Sequence, residues 1–194
     1  MLTNYYEKNA QGFVEDTLKA DMSAIRVRFI EHLPSNGLVL DAGCGAGRDI
    51  KAFLEMGFEV EAFDASSAMV DNASKYGSIE VRQSTFQDVV LTKKYDGIWC
   101  CASLLHVPKS QHSEILSKFA DAMRLGSVIY LSFKWGKGER EVDGRFFADH
   151  TDKSLIGLLE ASEKLEVVDV WDTRDLRPGR ETERWINALA RRIE

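Results

Sequence analysis

The chain of 194 residues is poor in the residues that mark disulfide-rich, fibrous and membrane-spanning proteins. It has 3 Pro and 3 Cys, and the cysteines form no CxxC pair, so neither a disulfide framework nor a metal site of the usual zinc spacing is expected. Its longest apolar runs, around 97–105 and 126–133, are too short to span a bilayer. The first 18 residues have no apolar signal-peptide core. We therefore expect a soluble cytoplasmic protein with no membrane partner.

An excess of basic charge is also absent. The chain has 25 Lys and Arg against 31 Asp and Glu, which gives a formal net charge of −6. Phosphate contacts need a clustered excess of cations, so this balance argues against nucleic acid as a partner. The arginines near the carboxyl end alternate with acids, and we interpret them as a solvated surface. They are Arg174, Arg177, Arg180, Arg184, Arg191 and Arg192.

What the sequence does contain is an alternation of short apolar runs and helical periods. Strands are predicted at 38–42, 58–64, 79–84, 95–101, 127–133, 165–171 and 185–192. A helical stripe follows Gly47, and a longer one fills 108–125 and stops at Gly126. This alternation predicts an α/β fold, a doubly wound and mostly parallel sheet with helices on both faces, in one domain over 1–194.

Two further segments flank or interrupt this pattern. Residues 1–33 are predicted to form an N-terminal helical cap before the first strand. Residues 134–150 break the rhythm with glycine and mixed charge. We expect this second segment to be a long irregular loop that contacts the substrate.

A glycine-rich loop, LDAGCGAGRD, follows the first strand and opens a helix. An ordinary tight turn is one interpretation of these glycines. Their spacing, GxGxG, differs from the dinucleotide fingerprint GxGxxG, because Arg48 stands where that fingerprint has its third glycine. Asp41 stands just before the glycines, where it would repel a pyrophosphate and attract an ammonium group. Asp64 ends the second strand, where a carboxylate accepts ribose hydroxyls. A ligand with a ribose, a cationic amine and no phosphate is S-adenosylmethionine.

Together with this loop, further motifs give a family resemblance over nearly the whole chain. DAGCGAGRD, VEAFDAS, QSTFQD, YDGIWCCASLLHVP and RLGSVIYLSFK occur in the order and spacing of a class I S-adenosylmethionine-dependent methyltransferase. The chain most resembles the small single-domain bacterial branch that includes tellurite-resistance-type methyltransferases. The resemblance implies a seven-stranded sheet with its last strand antiparallel, and methyl transfer to a small-molecule acceptor.

The resemblance also implies residues for the methionine and ribose parts of the cofactor. Asp41 would bind the methionine amine, and Gly43 and Gly45 would line the methionine moiety. Asp64 would bind the ribose. Arg48 is either one half of a surface pair in the first helical turn or a partner of the methionine carboxylate.

The adenine contacts depart from the family pattern at one position. Ala65 and Met69 would flank the adenine. Thr85 stands where the family often has an acid that faces the adenine amino group, so recognition would depend on the backbone N–H of Phe86. The end of the fourth strand would lie against the cofactor through Cys101 and Ala102.

Catalytic and acceptor residues are predicted above this site. His106 follows the fourth strand by a few residues, where an imidazole with a pKa near 6–7 would deprotonate an acceptor, although a purely structural role is the alternative. Tyr5 and Tyr6 would cover the cofactor or simply pack. Candidate acceptor contacts are Lys134, Trp135, Arg145, Phe146 and Phe147, whereas Trp171 and Trp185 are expected in the core.

Two other functions stay open at this point. The first is a module that binds the cofactor without efficient turnover and acts as a sensor. The second is a nicotinamide-dependent oxidoreductase, against which Arg48 and Asp41 argue.

Overall fold

The computed structural model describes residues 7, 10–177 and 179–194. Two helices, α1 (Ala10–Leu18) and α2 (Ser23–Ile30), precede the first strand. The other elements, in chain order, are β1 (Leu38–Ala42), α3 (Arg48–Glu55), β2 (Glu59–Asp64), α4 (Ser67–Gly77), β3 (Arg82–Gln83), β4 (Tyr95–Cys100), a 3-10 turn (Leu104–His106), α5 (Lys109–Ala122), β5 (Met123–Lys134), β6 (Glu139–Val142), β7 (Arg145–Ala148), α6 (Asp152–Glu160), β8 (Leu165–Arg174) and β9 (Arg184–Arg192). None of the described helices is long and apolar enough to cross a membrane.

Seven of the strands form one sheet in the order β3-β2-β1-β4-β5-β9-β8. The first five pair in parallel, and β9 runs antiparallel to both β5 and β8. The predicted doubly wound sheet and its reversed last strand are therefore confirmed. The chain winds outward in opposite directions from β1 and β4, so the carboxyl ends of these two strands open a crevice where a ligand can bind.

The helical cap packs on the middle of this sheet through aromatic rings. Phe29 of α2 lies 5.1 Å from Trp99 of β4, measured between ring centroids, and Trp99 stacks on Tyr130 of β5 at 4.1 Å. A Cβ atom at Gly97 would lie only 2.6 Å from Cζ of Phe29. The glycine in β4 therefore allows α2 to approach the sheet closely.

Two predicted boundaries were wrong for local reasons. The third strand shrinks from 79–84 to Arg82–Gln83, because the side chain of Ser74 in α4, and not a strand, accepts the Val81 N–H at 3.2 Å. Helix α5 ends at Ala122, before Gly126, because Met123 already pairs with the partner strand β4.

The segment 134–150 is not the irregular loop that was expected. Strands β6 and β7 form an antiparallel hairpin in which Val142 pairs with Arg145. The two residues between them, Asp143 and Gly144, both have positive φ, at 51° and 72°. Asp-Gly is the preferred sequence for such a two-residue turn, so this dipeptide was the overlooked signal.

A buried histidine pair connects the hairpin region to α5. His112 donates through Nε2 to the Val107 carbonyl at 2.8 Å, which leaves Nδ1 to accept from His150 Nε2 at 3.2 Å. Burial lowers the pKa of both side chains, for His150 to about 3, with the cation of Lys109 acting in the same direction. Both imidazoles are therefore neutral at neutral pH.

This pair predicts a loss of stability in acid. The unfolded chain binds a proton near pH 6.5 and folded His150 only near pH 3, so the free energy of unfolding falls as the pH drops through that window. When the pH is lowered from about 7 to about 5, we expect the free energy of unfolding of His150→Gln to fall by about 2 kcal/mol less than that of wild type. Urea unfolding at both pH values measures this. An unchanged pH dependence in the variant would contradict it.

Candidate active site

One cavity of about 900 Å³ opens at the carboxyl ends of the central strands. This volume lies at the upper end of the range of roughly 300–1,000 Å³ found for small-molecule sites. Nearly all of the predicted site residues line it. These are Asp41, Gly43, Gly45, Arg48, Asp64, Ala65, Met69, Thr85, Phe86, Cys101, Ala102 and His106. Tyr6, like Tyr5, lies outside the described residues.

The glycines of the loop after β1 have different reasons to be glycine. Gly43 and Gly45 both have positive φ, at 74° and 53°. A Cβ atom on Gly43 would lie 2.6 Å from Cβ of Ser103, so that glycine is required by packing within the protein. A Cβ atom on Gly45 would meet only the ring of Phe13, at 3.5 Å. Gly45 is therefore the one of these two that leaves room for a ligand.

Asp64 ties the glycine loop to the end of β2. Its Oδ2 accepts the Gly45 N–H and its Oδ1 accepts the Ser66 N–H, both at 2.9 Å. Burial raises the pKa of this carboxyl above its usual range. Each oxygen can accept a second hydrogen bond, so the carboxylate is oriented by the backbone and still able to take two hydroxyl donors.

Asp41 is the unusual residue of the cavity. The residue is only 2% exposed, and its Oδ2 has no hydrogen-bond partner among the described residues. Burial, followed by the nearby Asp49 carboxylate, raises the pKa of Asp41 well above its usual range. Buried carboxylates are normally paired, so this oxygen calls for a cationic or hydrogen-bonding ligand.

Arg48 is not the surface residue that one interpretation expected. Its guanidinium donates to both carboxylate oxygens of Asp49, at 2.6 and 3.1 Å, and to the Thr17 carbonyl at 3.4 Å. It also contacts the sulfur of Cys101 at 3.5 Å. Arg48 therefore joins α1, α3 and the end of β4 at the wall of the cavity.

Asp49 receives a second cation and an indole. Arg26 of α2 donates to it at 2.7 Å, and Nε1 of Trp99 donates at 3.0 Å. Burial alone would raise the pKa of Asp49, but the charge and hydrogen bonds of Arg48 outweigh it and the pKa is lowered. Asp49 is thus an ionised and fully paired group, whereas the neighbouring Asp41 has an oxygen without a partner in the described part of the chain.

At the expected adenine end, the hydroxyl of Thr85 is already engaged. It donates to Oδ2 of Asp88 at 2.7 Å and accepts the Asp88 N–H at 3.1 Å. Phe86 packs its ring against Phe63 and Phe119, with centroids 5.3 and 5.9 Å apart. The Thr85 side chain therefore holds its own loop.

Neighbouring polar residues were missed by the sequence reasoning. Ser84 and Gln87 line the cavity with Ala65 and with the buried Met69. Their position in the same loop as Thr85 was the available signal.

Two cysteines line the cavity, Cys101 just after β4 and Cys44 in the glycine loop after β1, and neither thiol is ionised at neutral pH. Burial raises the pKa of Cys101 to about 12 and that of Cys44 well above its usual range. Ala102 has a positive φ of 52° and donates its N–H to the Ser132 hydroxyl at 2.8 Å. This backbone turn directs the chain after β4 across the cavity mouth.

His106 lies in that crossing segment and is anchored by the hairpin. Its Nδ1 donates to the Phe146 carbonyl at 2.7 Å, which places the ring lone pair on Nε2. Burial lowers the pKa to about 4, not the range near 6–7 expected of an ordinary imidazole, and the Arg145 cation adds to the shift. The imidazole is neutral at neutral pH and has the tautomer of a base at Nε2.

The expected acceptor residues are mostly brought to the cavity, with one exception and one addition. Lys134, Trp135, Arg145 and Phe147 line it, whereas Phe146 reaches the site through its carbonyl. Trp185 was expected in the core, but it lines the cavity, with Nζ of Lys134 lying 4.1 Å from its ring centroid. Lys134 also pairs with Asp175 at 3.1 Å and with Glu183.

The carboxyl-terminal arginines were also misinterpreted as a solvated surface. Because β8 runs parallel to β1, the segment after it lies at the same edge of the sheet as the crevice. Four of the six predicted surface arginines therefore line the cavity. With Lys134 and the hairpin they make seven basic residues, namely Lys134, Arg140, Arg145, Arg174, Arg177, Arg180 and Arg184.

Comparison with known proteins agrees with this fold. Residues 39–126 match the family described as methyltransferase domain. The ubiquinone biosynthesis O-methyltransferase of Rickettsia felis is 32% identical over 78 residues, which are 38% of this chain and 32% of that protein. The chain thus spans about a third of the length of the curated relatives it matches.

Solved structures match over more of the chain. The 1,6-didemethyltoxoflavin-N1-methyltransferase of Burkholderia thailandensis has a TM-score of 0.78 at 20% identity, over 98% of this chain and 85% of that one. Magnesium protoporphyrin IX methyltransferase from Synechocystis PCC 6803 has a TM-score of 0.65 at 20% identity, over 95% of this chain and 80% of that one. The fold is therefore the Rossmann-like methyltransferase fold.

The contrast between Asp41 and Asp49 generates a paired prediction. Asp41→Asn replaces a buried carboxyl that has an oxygen without a partner among the described residues, so we expect the variant to be at least as stable as wild type but to bind S-adenosylhomocysteine about 1.5–3 kcal/mol more weakly. Asp49→Asn leaves two buried guanidiniums without their carboxylate, so we expect it to lose about 3–5 kcal/mol of stability. Thermal unfolding and calorimetry measure both quantities. Asp41 would be a structural residue if its Asn variant lost stability as Asp49→Asn does.

Proposed function

We propose that this chain is an S-adenosylmethionine-dependent methyltransferase that acts on a small-molecule acceptor. The observation that carries the proposal is the buried Oδ2 of Asp41, which lacks a partner within the described part of the chain and lines the glycine-loop cavity. The family match over residues 39–126 supports it. So do the similar solved structures, which hold S-adenosylhomocysteine in the toxoflavin enzyme and S-adenosylmethionine in the porphyrin enzyme.

The cavity residues fit this cofactor in charge and in shape. Asp41 would pair with the methionine ammonium, which satisfies its free oxygen and offsets its burial. Asp64, already oriented by two backbone N–H groups, would accept the two ribose hydroxyls. Gly45 would leave room for the methionine moiety. When bound, the cofactor supplies a methyl group on a sulfonium that is already an activated leaving group.

His106 would act in the acceptor half of the reaction. Its Nδ1–H is held by the Phe146 carbonyl, so Nε2 is the basic atom and the ring orientation is set by the hairpin. A neutral imidazole of this tautomer can take a proton from the acceptor as the new bond to carbon forms. Alignment of the acceptor by the cavity walls would supply the rest, because the leaving group needs no acid.

Several predictions from the sequence are more specific than this proposal. Membership of the tellurite-resistance-type branch, cytoplasmic location, and the absence of nucleic-acid and membrane partners remain predictions. The sensor alternative differs from the enzyme only in turnover. The oxidoreductase alternative would need a pyrophosphate next to the unpaired carboxylate of Asp41, which is electrostatically unfavourable.

Calorimetry and a methyl-transfer assay separate these functions. We expect S-adenosylhomocysteine to bind and NAD not to bind, and Asp41→Asn to weaken the first interaction. Incubation with S-adenosylmethionine and a panel of phenols, thiols, amines and carboxylates then tests turnover, with the methylated product detected by mass spectrometry. Binding without any product from the panel would favour the sensor, and binding of NAD in place of S-adenosylhomocysteine would overturn the proposal.

His106 gives the kinetic prediction. We expect His106→Ala to lower kcat by about 10²–10⁴-fold and to leave S-adenosylhomocysteine affinity unchanged, since the ribose and amine contacts lie elsewhere. Because the pKa of His106 is about 4, the wild-type rate should rise with pH around that value and not near 6–7.

His32, which does not line the cavity, provides the matched control, and His32→Ala should keep wild-type kcat. A His106→Ala enzyme with full activity at every pH would show that His106 only supports its loop.

A further inference from the structure

We infer that the methyl acceptor is a planar small molecule that carries an oxyanion, a carboxylate or a phosphate, and that Arg180 is the cation that binds this group. The inference concerns the substrate class of the same cavity and therefore rests on the proposed methyltransferase function. Three observations carry it: the charge distribution along the cavity, the pairing state of its cations, and the aromatic faces between them.

The cavity is electrically divided, although the whole chain has a net charge of −6. Its cofactor end has three acids, Asp41, Asp49 and Asp64, against one base, Arg48. The opposite end has the seven basic residues named above against three acids, Asp143, Asp175 and Glu183, an excess of four positive charges. A cationic cofactor suits the first end. The second end attracts anions, and its low-dielectric walls strengthen that attraction.

Most of the cations in the second end already have carboxylate partners. Lys134 and Arg177 both pair with Asp175, at 3.1 and 2.6 Å, and Arg140 pairs with Asp149 at 2.6 Å. These pairs hold the segment after β8, the end of β5 and the hairpin in place. These three cations therefore stabilise the cavity wall, and their charge is largely neutralised by their own carboxylate partners.

Arg180 differs from these residues. It is half-buried and lines the cavity, and no carboxylate forms an ion pair with it among the described residues. Arg174 also lines the cavity without such a partner, but its side chain is exposed. A guanidinium presents several donors in a plane that matches a carboxylate or phosphate, so a half-buried arginine without an acid is suited to bind an external oxyanion.

Aromatic rings define the shape of what can enter. Trp135 is 39% exposed, and the guanidinium of Arg184 lies 4.5 Å from its ring centroid. Trp185 is in the same wall, where Lys134 lies 4.1 Å from its ring centroid. Each of these rings has a cation over one face, so this wall offers both aromatic surface and positive charge, which favour a planar ring with an anionic substituent over a flexible aliphatic chain.

The test uses probes that share one ring and differ in charge. Benzoate, phenyl phosphate and the neutral benzamide are titrated at millimolar concentration into the full chain loaded with S-adenosylhomocysteine. We expect at least one anion to bind at least about tenfold more tightly than benzamide, because a hydrogen bond to a charged group is the stronger kind. Comparison of the two anions tells a carboxylate site from a phosphate site.

Arg180→Gln and a matched control locate the effect. We expect Arg180→Gln to weaken the favoured anion by about 10- to 100-fold and to leave benzamide and S-adenosylhomocysteine affinity unchanged. Arg124→Gln changes an exposed arginine of β5 that pairs with Asp96 and does not line the cavity, and it should leave all four affinities as in wild type. Thermal unfolding checks that both variants are folded.

The possible failures can be told apart. If wild type does not bind S-adenosylhomocysteine, the proposed function fails, and the probes are then compared on the chain alone. If S-adenosylhomocysteine binds but benzamide equals both anions, or neither anion binds, the inference alone is overturned. An unchanged anion affinity in Arg180→Gln would overturn it as well.

Discussion

The arrangement of the site depends on one buried carboxylate. Asp49 accepts from Arg26 of α2, from Arg48 at the start of α3 and from the indole of Trp99 in β4. It thereby joins the helical cap, the helix that follows the glycine loop and the middle of the sheet at one point. A group with so many partners makes the position of the cap and of the loop interdependent, since neither can move without breaking an ion pair in a low-dielectric setting.

Three neighbouring carboxylates acquire three different roles from their surroundings. Asp49 is saturated with cations, so the lowering of its pKa by Arg48 outweighs burial. Asp64 is oriented by backbone N–H groups, which only partly offset the rise in pKa due to burial. Asp41 keeps an oxygen with no partner among the described residues, and its pKa is raised by burial and by Asp49. Such a contrast between structural and unsatisfied carboxylates is what a binding site for a cation requires.

The fold was predictable because its signals are local. Each strand and helix of the alternating pattern has a sequence signal within about ten residues. The acid at the end of β1 and the acid at the end of β2 mark the proposed cofactor half by position alone. The acceptor half was not predictable in this way. Arg180 and Trp185 become cavity residues only because β8 and β9 are added at one edge of the sheet in opposite directions. Along the chain, arginines that alternate with acids cannot be told from a solvated surface.

The hairpin combines a feature that the sequence could predict with one that it could not. Asp143 and Gly144 are a local turn signal, so strands β6 and β7 could have been found from the sequence. The hydrogen bond between the Phe146 carbonyl and the ring of His106 could not have been found in this way, because the two residues are brought together by the packing of distant segments. Sequence separation, more than residue type, therefore decides which parts of this site could be foreseen.

If His106 acts as the proposed base, burial and charge together set its strength. A pKa of about 4 keeps the ring neutral, but it also means that the imidazolium is costly to form, since burial and the Arg145 cation both oppose it. A weak base suffices only if the acceptor gives up its proton easily. The excess of positive charge that lines this end of the cavity acts in that direction, because a positive potential lowers the pKa of a hydroxyl or thiol placed in it. The charge that would hold an anionic acceptor would thus also make its proton removable by so weak a base.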